Sequence, residues 1–263
     1  MSTATHLLER PVPGIAVLRL NRPDSLNALT DDSVAALSAT LDALARDTAL
    51  RVLVLTGTGR GFCAGFDLGL ADEAPLTAEL GEAAAWTVRQ EAFASLVTRL
   101  RALRAPVIAA VNGAANGAGL GLALACEVRV AAASAAFNAA FVKVGMSSCD
   151  IGVSWLLPRA VGTSRAFEMM LTGRHVKADE AERCGLVSAT VPDAELMPRA
   201  LALAREIAAN DAFAVWMTKR GGWANLEAVG LHAAMELENR TQILARSTGE
   251  LARAARRFKA RKG

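Results

Sequence analysis

Two glycine-rich turns and one isolated carboxylate hold the residues of this 263-residue chain that are best placed to do chemistry. The first turn, GTGRGFCAGFDL (57–68), follows a short apolar run, and its glycines leave main-chain N–H groups open to a ligand. The second, NGAANGAGLGLALACE (112–127), also follows an apolar run. Its GAGLG opens an apolar helix beginning near Gly119, and a helix N-terminus carries unpaired N–H groups and partial positive charge. Taken singly, the first reads as a tight strand-to-loop turn and the second as close helix–strand packing by small residues. The GxGxG spacing is not the dinucleotide fingerprint, which needs other spacing and a later acidic residue. Taken together, the turns put backbone donors at the ends of two strands of one sheet. Two such N–H groups can converge on one oxygen and form an oxyanion hole, suited to a carbonyl that turns into an enolate.

The elements around the turns follow from periodicity. THLLER and GIAVLRL, separated by PVPG, read as a β-hairpin. Thr30 caps a helix that opens with Asp31 and Asp32, and Val34, Leu37, Leu41 and Leu44 give it one apolar face. RVLVLTG, PVIAAVNG, EVRVAAA and GLVSATVP are short apolar runs of the kind that form strands buried on both faces. Helical segments alternate with them, which predicts an α/β domain with right-handed crossovers. From about Ala194 the pattern is helical: LEAVGLHAAMELENRTQILA reads as one long helix and TGELARAARRFKARK as a final basic one. The expected division is a core over residues 1–200 and a helical segment over 201–263.

Composition narrows the classes of function. A chain 52% hydrophobic can bury a large core. A net charge of +3, much of it in the tail, lacks the broad basic and aromatic bias of a nucleic-acid binder. The four cysteines form no CxxC pair and His6, His175 and His232 are scattered, so no zinc site is expected. Free cysteines, no signal-like N-terminus and no run of membrane-spanning length predict a cytoplasmic protein.

In order along the chain, LNRPDSLNALT, GFCAGFDL, PVIAAVNGAANGAGLGLALACEVRVAA, LLPRAVGTSRAFEMMLTGR, ADEAERCGLVSATVP and RFKARK resemble the enoyl-CoA hydratase/isomerase (crotonase) family. The resemblance runs from about residue 5 to the end. It implies a spiral of ββα units with a helical C-terminal segment that builds trimers, often paired into hexamers. It implies an acyl-CoA thioester as substrate, with no metal and no cofactor beyond the coenzyme A of the substrate itself. By position, the oxyanion donors are the N–H groups of Phe66 and Ala118, where relatives commonly carry small residues. Ala64, Gly65, Phe66, Asp67 and Leu68 line the bend of the pantetheine arm, with Gly117 and Ala118 opposite. Asn27, Ala28 and Leu29 lie near the adenine, and Phe258 and Lys259 of a neighbouring subunit reach coenzyme A. Arg22 is either a phosphate contact or a solvated surface charge, and the same choice holds for Lys259.

The chain departs from the hydratase pattern where it matters most. Hydratases of this family hold a water between two glutamates, and the matching positions here are Gly121 and Phe141, neither of which can move a proton. Asp150, in CDIG, is the remaining acid. Dienoyl-CoA isomerases, chlorobenzoyl-CoA dehalogenase and dihydroxynaphthoyl-CoA synthase place a working aspartate nearby, although this chain is one residue longer between Gly145 and Pro158. Phe137, Ala139, Ala140, Phe141, Val142 and Val144 are expected to form an apolar wall that desolvates Asp150 and raises its pKa. The plain alternative is that Asp150 caps the helix starting near Val153. Asp67 is expected to bond to local backbone and Glu127 to be structural. Cys149 is expected to be a small buried thiol. Glu82 and Glu91 fall in a stretch that in relatives forms a lid and helix. Trp155 and Trp86 either shape the acyl end or fill the core.

The expected activity is therefore double-bond isomerisation of an acyl-CoA thioester through an enolate, with Asp150 as proton shuttle and Phe141 and Trp155 at the acyl end. The alternatives are an atypical hydratase, a non-catalytic acyl-CoA-binding protein, and RNA binding through the basic tail.

Overall fold

Period-two alternation, with both phases apolar, decides the architecture. The computed structural model describes residues 4–72 and 74–260, so the last residues of the basic tail lie outside the described residues. Strands β1 (His6–Val12) and β2 (Ile15–Leu20) form the antiparallel hairpin, and β1 runs on through Pro11 to Val12. The sequence put a turn over PVPG. Proline survives in β1 because β1 is the sheet's edge, where a missing N–H costs no ladder bond. Helix α1 (Asp31–Arg46) opens on a reciprocal capping box: Ser33 N–H donates to Thr30 Oγ1 at 3.2 Å and Thr30 N–H to Ser33 Oγ at 2.8 Å.

Three repeats then follow, each a long strand and a short one. β3 (Val52–Gly57) and β4 (Gly61–Cys63) lead to α2 (Thr77–Leu80) and α3 (Glu82–Ala102). β5 (Val107–Val111) and β6 (Ala114–Asn116) lead to α4 (Ala118–Leu124). β7 (Val128–Ala132) and β8 (Ala136–Asn138) lead to α5 (Val153–Val161) and α6 (Thr163–Thr172). β9 (Val176–Lys177), α7 (Ala178–Arg183) and β10 (Ala189–Val191) close the sheets. The long strands make a six-stranded sheet, β1-β2-β3-β5-β7-β10, and the short ones a four-stranded sheet, β4-β6-β8-β9. This is the spiral ββα architecture. The second sheet escaped the sequence because its strands are two or three residues long, too short to show a period.

Alternate residues of the long strands feed two cores. Leu18, Leu53, Leu55, Val107 and Ala109 face the helices and the second sheet. Val17, Val52, Val54, Ile108 and Ala110 face helix α8 (Leu196–Ala208), which presents Leu196, Ala200 and Ala204. Three further helices follow: α9 (Ala212–Asn225), α10 (Leu231–Arg246) and α11 (Glu250–Ala260). The long helix expected from Leu226 instead starts at Leu231. Leu226 closes α9, and the backbone runs extended at Gly230 before the next helix.

Helix α9 is fastened to the core by one buried cation. Lys219 Nζ donates to the carbonyls of Leu100 (3.1 Å) and Ala105 (3.0 Å) and pairs with Glu127 Oε2 at 3.2 Å. The same carboxylate accepts from Val107 N–H at 2.7 Å and from Trp223 Nε1 at 2.6 Å. Burial pushes the Lys219 pKa down, and Glu127 opposes that shift. Replacing Glu127 by Gln leaves the ammonium buried with carbonyl partners only, and is expected to cost about 3 kcal/mol of stability in urea denaturation.

Candidate functional site

The first glycine-rich turn is laced to the segment before α1. Ala64 N–H donates to Leu26 O (2.9 Å), Leu29 N–H to Gly65 O (2.7 Å) and Asp67 N–H to Leu29 O (2.9 Å). Phe66 therefore lies opposite Leu29 in a parallel bridge, and its own N–H faces away from Leu29. On the other side the parallel pairing of β4 with β6 brings up the second turn. A Cβ on Gly65, which sits at φ +98°, would fall 2.8 Å from Asn116 O and 3.4 Å from Ala118 N. Ala118 opens α4, so its N–H has no acceptor within the helix. The next N–H upstream, that of Gly117, is already given to Asn138 O at 2.9 Å. The structure thus brings the main chain of Phe66 and Ala118 to adjoining turns, and only glycine permits the approach. At Gly119 an added Cβ would lie 2.0 Å from Cys63 O.

The Phe66 ring is held from α3. It packs edge-on to Phe93 (centroids 5.5 Å apart) and Trp86 (6.4 Å). The Arg89 guanidinium lies 4.8 Å from the Phe66 ring centroid and 5.0 Å from that of Trp86. Arg89 is buried and forks onto Asp31, Nε to Oδ1 at 2.8 Å and Nη2 to Oδ2 at 2.6 Å, with Nη1 donating to Leu70 O at 2.9 Å. The bulk of Phe66 is turned into this cluster.

Asp150 does not cap α5. The helix begins behind Gly152, and only the main-chain carbonyl of Asp150 serves it, accepting from Val153 N–H at 2.8 Å. The carboxylate turns instead to Gln90 of α3, whose Nε2 donates to Oδ1. Burial pushes the Asp150 pKa above the usual carboxylate value, while hydrogen bonds from Ile151 N–H and Gln90 pull it partly back. Ile151 is buried at φ +42°, a conformation strained for a β-branched residue. Its side chain occupies the place that a residue at 121 would claim: a Cβ on Gly121 would meet Ile151 Cγ2 at 2.6 Å. Since Gly121 stands three residues after Ala118, about 5 Å along the helix, the acid loop rests one turn from the Ala118 N–H. The Phe141 ring lies over Gly117, 3.6 Å from where its Cβ would be.

The expected apolar wall forms only in part. Phe137 and Ala139 are core residues, Phe141 is half-buried, and Val144 is 51% exposed. Residues Ala140–Val144 make a tight 3-10 turn that splays successive side chains in different directions. Cys149 is exposed, not buried: it lies in an exposed turn, where its N–H donates to Ser147 Oγ at 3.1 Å. Cys63, beside the second turn, is fully buried and its pKa is pushed up to about 12, which leaves it a thiol.

Asp67 bonds locally, as expected, accepting from Gly69 N–H at 3.1 Å, and also pairs with Arg22 Nη1 at 2.9 Å. Asn27 is buried; its carboxamide donates to Gly61 O and Thr58 O and accepts from Arg22 N–H, so the side chain serves the turn. Ala28 and Leu29 are buried beside it, Ala64 is half-buried, and Leu68 is 60% exposed. Trp155 lies 3.7 Å from the Arg159 guanidinium and 5.1 Å from that of Arg101, which also covers Trp223. Glu82 and Glu91 are exposed on α3, and Phe258 and Lys259 are exposed on α11. Among the described residues no cluster of His, Cys, Asp or Glu could hold a metal, and no helix is long and apolar enough to cross a membrane. Sequence reasoning missed Gln90, Arg89 and Ile151. Trp86, Arg89, Gln90 and Phe93 recur at the spacing of one helix face, which is the signal that could have found the first two.

Residues 12–262 match the sequence model of the family described as enoyl-CoA hydratase/isomerase. The probable enoyl-CoA hydratase EchA12 of Mycobacterium tuberculosis is 44% identical over 91% of this chain and 84% of its own length. A crystal structure of a probable enoyl-CoA hydratase/isomerase from Mycobacterium abscessus superimposes with a TM-score of 0.89, at 41% identity, covering 97% of this chain and 96% of that one. A monofunctional enoyl CoA isomerase from M. smegmatis superimposes with a TM-score of 0.75, at 43% identity, covering 89% and 99%.

The Gly121–Ile151 contact predicts a coupled pair. Gly121→Ala is expected to cost about 2 kcal/mol, and Ile151→Gly to recover at least about 1 kcal/mol of that in the double variant. Urea denaturation of the two single variants and the double variant measures the coupling; additive effects would refute it.

Proposed function

The chain belongs to the enoyl-CoA hydratase/isomerase family, and on that premise we propose that it shifts a double bond along the acyl chain of a CoA thioester, with Asp150 carrying the proton. In this reading the thioester oxygen accepts from the N–H groups of Phe66 and Ala118. The Asp150 carboxylate takes a proton from the carbon beside the carbonyl. The C–H electron pair moves inward, the carbonyl becomes an enolate, and the two N–H groups stabilise the negative oxygen. With a 3-enoyl chain the enolate is conjugated with the double bond. The new carboxylic acid returns its proton two carbons further out, the carbonyl re-forms, and a 2-enoyl thioester remains. Nothing enters or leaves, so one carboxylate suffices. Hydration would need a second group to hold and activate water, and positions 121 and 141 supply glycine and phenylalanine.

The observation that carries this reading is the Asp150 carboxyl, lifted in pKa by burial, on a loop whose next residue, Ile151, rests against α4 one turn from Ala118. The M. smegmatis relative described as an isomerase supports it. Coenzyme A would run past Ala64, Gly65, Asp67, Leu68 and Gly117, with its adenine toward Asn27, Ala28 and Leu29 and its phosphates toward Arg22. Phe141 and Trp155 would bound the acyl end. The core of residues 1–200 would carry this chemistry, and residues 201–263 would join copies of the chain into a trimer or a dimer of trimers. Phe258 and Lys259 would then reach a neighbour's coenzyme A. Supporting the assembly, α10 and α11 bury no side chain, while Leu231, Met235, Ile243, Leu244, Leu251 and Phe258 stand exposed. Light scattering is expected to give three or six times the chain mass; a monomer would remove this part.

Incubation with 3-enoyl-CoA in deuterated water is expected to give 2-enoyl-CoA with no added water mass, read by mass spectrometry, and with deuterium only to the extent that the protonated Asp150 exchanges with solvent before it returns its proton. Asp150→Asn is expected to lower turnover by at least about 100-fold with CoA binding retained. A base works only when ionised, so the rate should fall on the acid side at a pH above the ordinary carboxylate range of about 4. Water added to 2-enoyl-CoA, or an Asp150→Asn variant as fast as the parent, would overturn the reading.

A further inference from the structure

Asp150 stands on a backbone that is fixed and carries a side chain that is not. Ile151, buried at φ +42° and seated against Gly121, pins the loop. That leaves the two carboxylate torsions to be set by whatever the oxygens touch. Among the described residues, the side chain bonded to them is that of Gln90, whose Nε2 donates to Oδ1, and the main-chain N–H of Ile151 also donates to the carboxylate. Among the described residues Oδ2 has no side-chain partner.

We propose that Gln90 is the positioning residue for the acid–base group: its carboxamide holds Oδ1 of Asp150 so that Oδ2 is the oxygen that exchanges protons with substrate. The inference rests on the reading of Asp150 given above and adds a residue that no sequence motif marks. Its location supports it. Gln90 lies on the face of α3 that also carries Trp86, Arg89 and Phe93, the residues packed on the Phe66 ring. One helix face therefore locates both the ring beside the oxyanion turn and the carboxylate.

The chemistry also favours an amide at this place. Gln90 keeps the same charge at every pH, so it orients the carboxylate without titrating beside it. A lysine would draw the Asp150 pKa down and weaken the base, and a second carboxylate would repel it. Among the described residues the neighbours bring no competing charge. Arg89 on α3 is committed to Asp31, Glu91 is exposed, α4 presents Gly121, α5 opens with Val153, and the loop contributes Cys149. Burial and two hydrogen bonds account for the Asp150 shift, with no charged partner among its causes.

The test compares Gln90→Met, which keeps the length and loses the donor, and Gln90→Glu with the parent, and follows the Asp150 carboxyl by 13C NMR titration alongside kcat and KM against pH. The Gln90→Met titration and the acid limb of kcat are expected to move up together by about one pH unit, with KM unmoved, and Gln90→Glu to move them further. A limb and a titration that stay in place while kcat falls equally at all pH values would reduce Gln90 to a packing residue and overturn the assignment. Asp150→Asn separates the two readings. If it is inactive and the Gln90 variants leave the titration unmoved, Gln90 alone is wrong. If it turns over like the parent, Asp150 is not the base and both fall.

Discussion

Everything at the site depends on a contact between two stretches of main chain. Gly119 lies directly on the carbonyl of Cys63, with no room for a methyl group between them. That contact, together with the parallel pairing of β4 and β6, sets the distance between the first glycine-rich turn and the N-terminus of α4. Side chains adjust by rotation, but backbones in contact cannot. In the function proposed here, two donors fixed in this way would need no reorganisation when charge develops on a bound oxygen, which is what makes preorganised dipoles effective.

Around that contact the protein uses one buried cation on each side. Arg89 ties α3 to the first turn of α1 through Asp31 and to the chain after Phe66 through the Leu70 carbonyl. Lys219 ties α9 to the end of α3 and to β5 through Glu127. Both sit in low-dielectric surroundings where a missing partner is costly, so each acts more as a locator than as a source of net stability. Helix α3 carries the first and receives the second, and so becomes the reference bar of the site. Its middle carries Phe93, Arg89 and Gln90, and its last turn accepts Lys219.

The long strands and α1 were legible because they obey simple periods: Val52 to Gly57 is apolar on both faces, and Val34, Leu37, Leu41 and Leu44 repeat at helical spacing. The two glycine turns were legible for a related reason, since only glycine tolerates such approach. The second sheet was not, because strands of two or three residues have no period to read. The surroundings of Asp150 were legible in direction and not in cause. Burial was foreseen, but from a wall that a 3-10 turn breaks up, and the partner that matters lies sixty residues away on another helix. The exposure of Cys149 was not legible either, because an irregular turn has no period that tells which side chains point inward.

The fit of Ile151 over Gly121 has a consequence for the substitutions open to this sequence. A glutamate cannot enter at 121 while Ile151 fills the space, and Ile151 holds a backbone shape that only a few residues tolerate. The two positions are therefore linked: a side chain at 121 calls for a smaller neighbour at 151, and a smaller residue at 151 loosens the loop that carries Asp150.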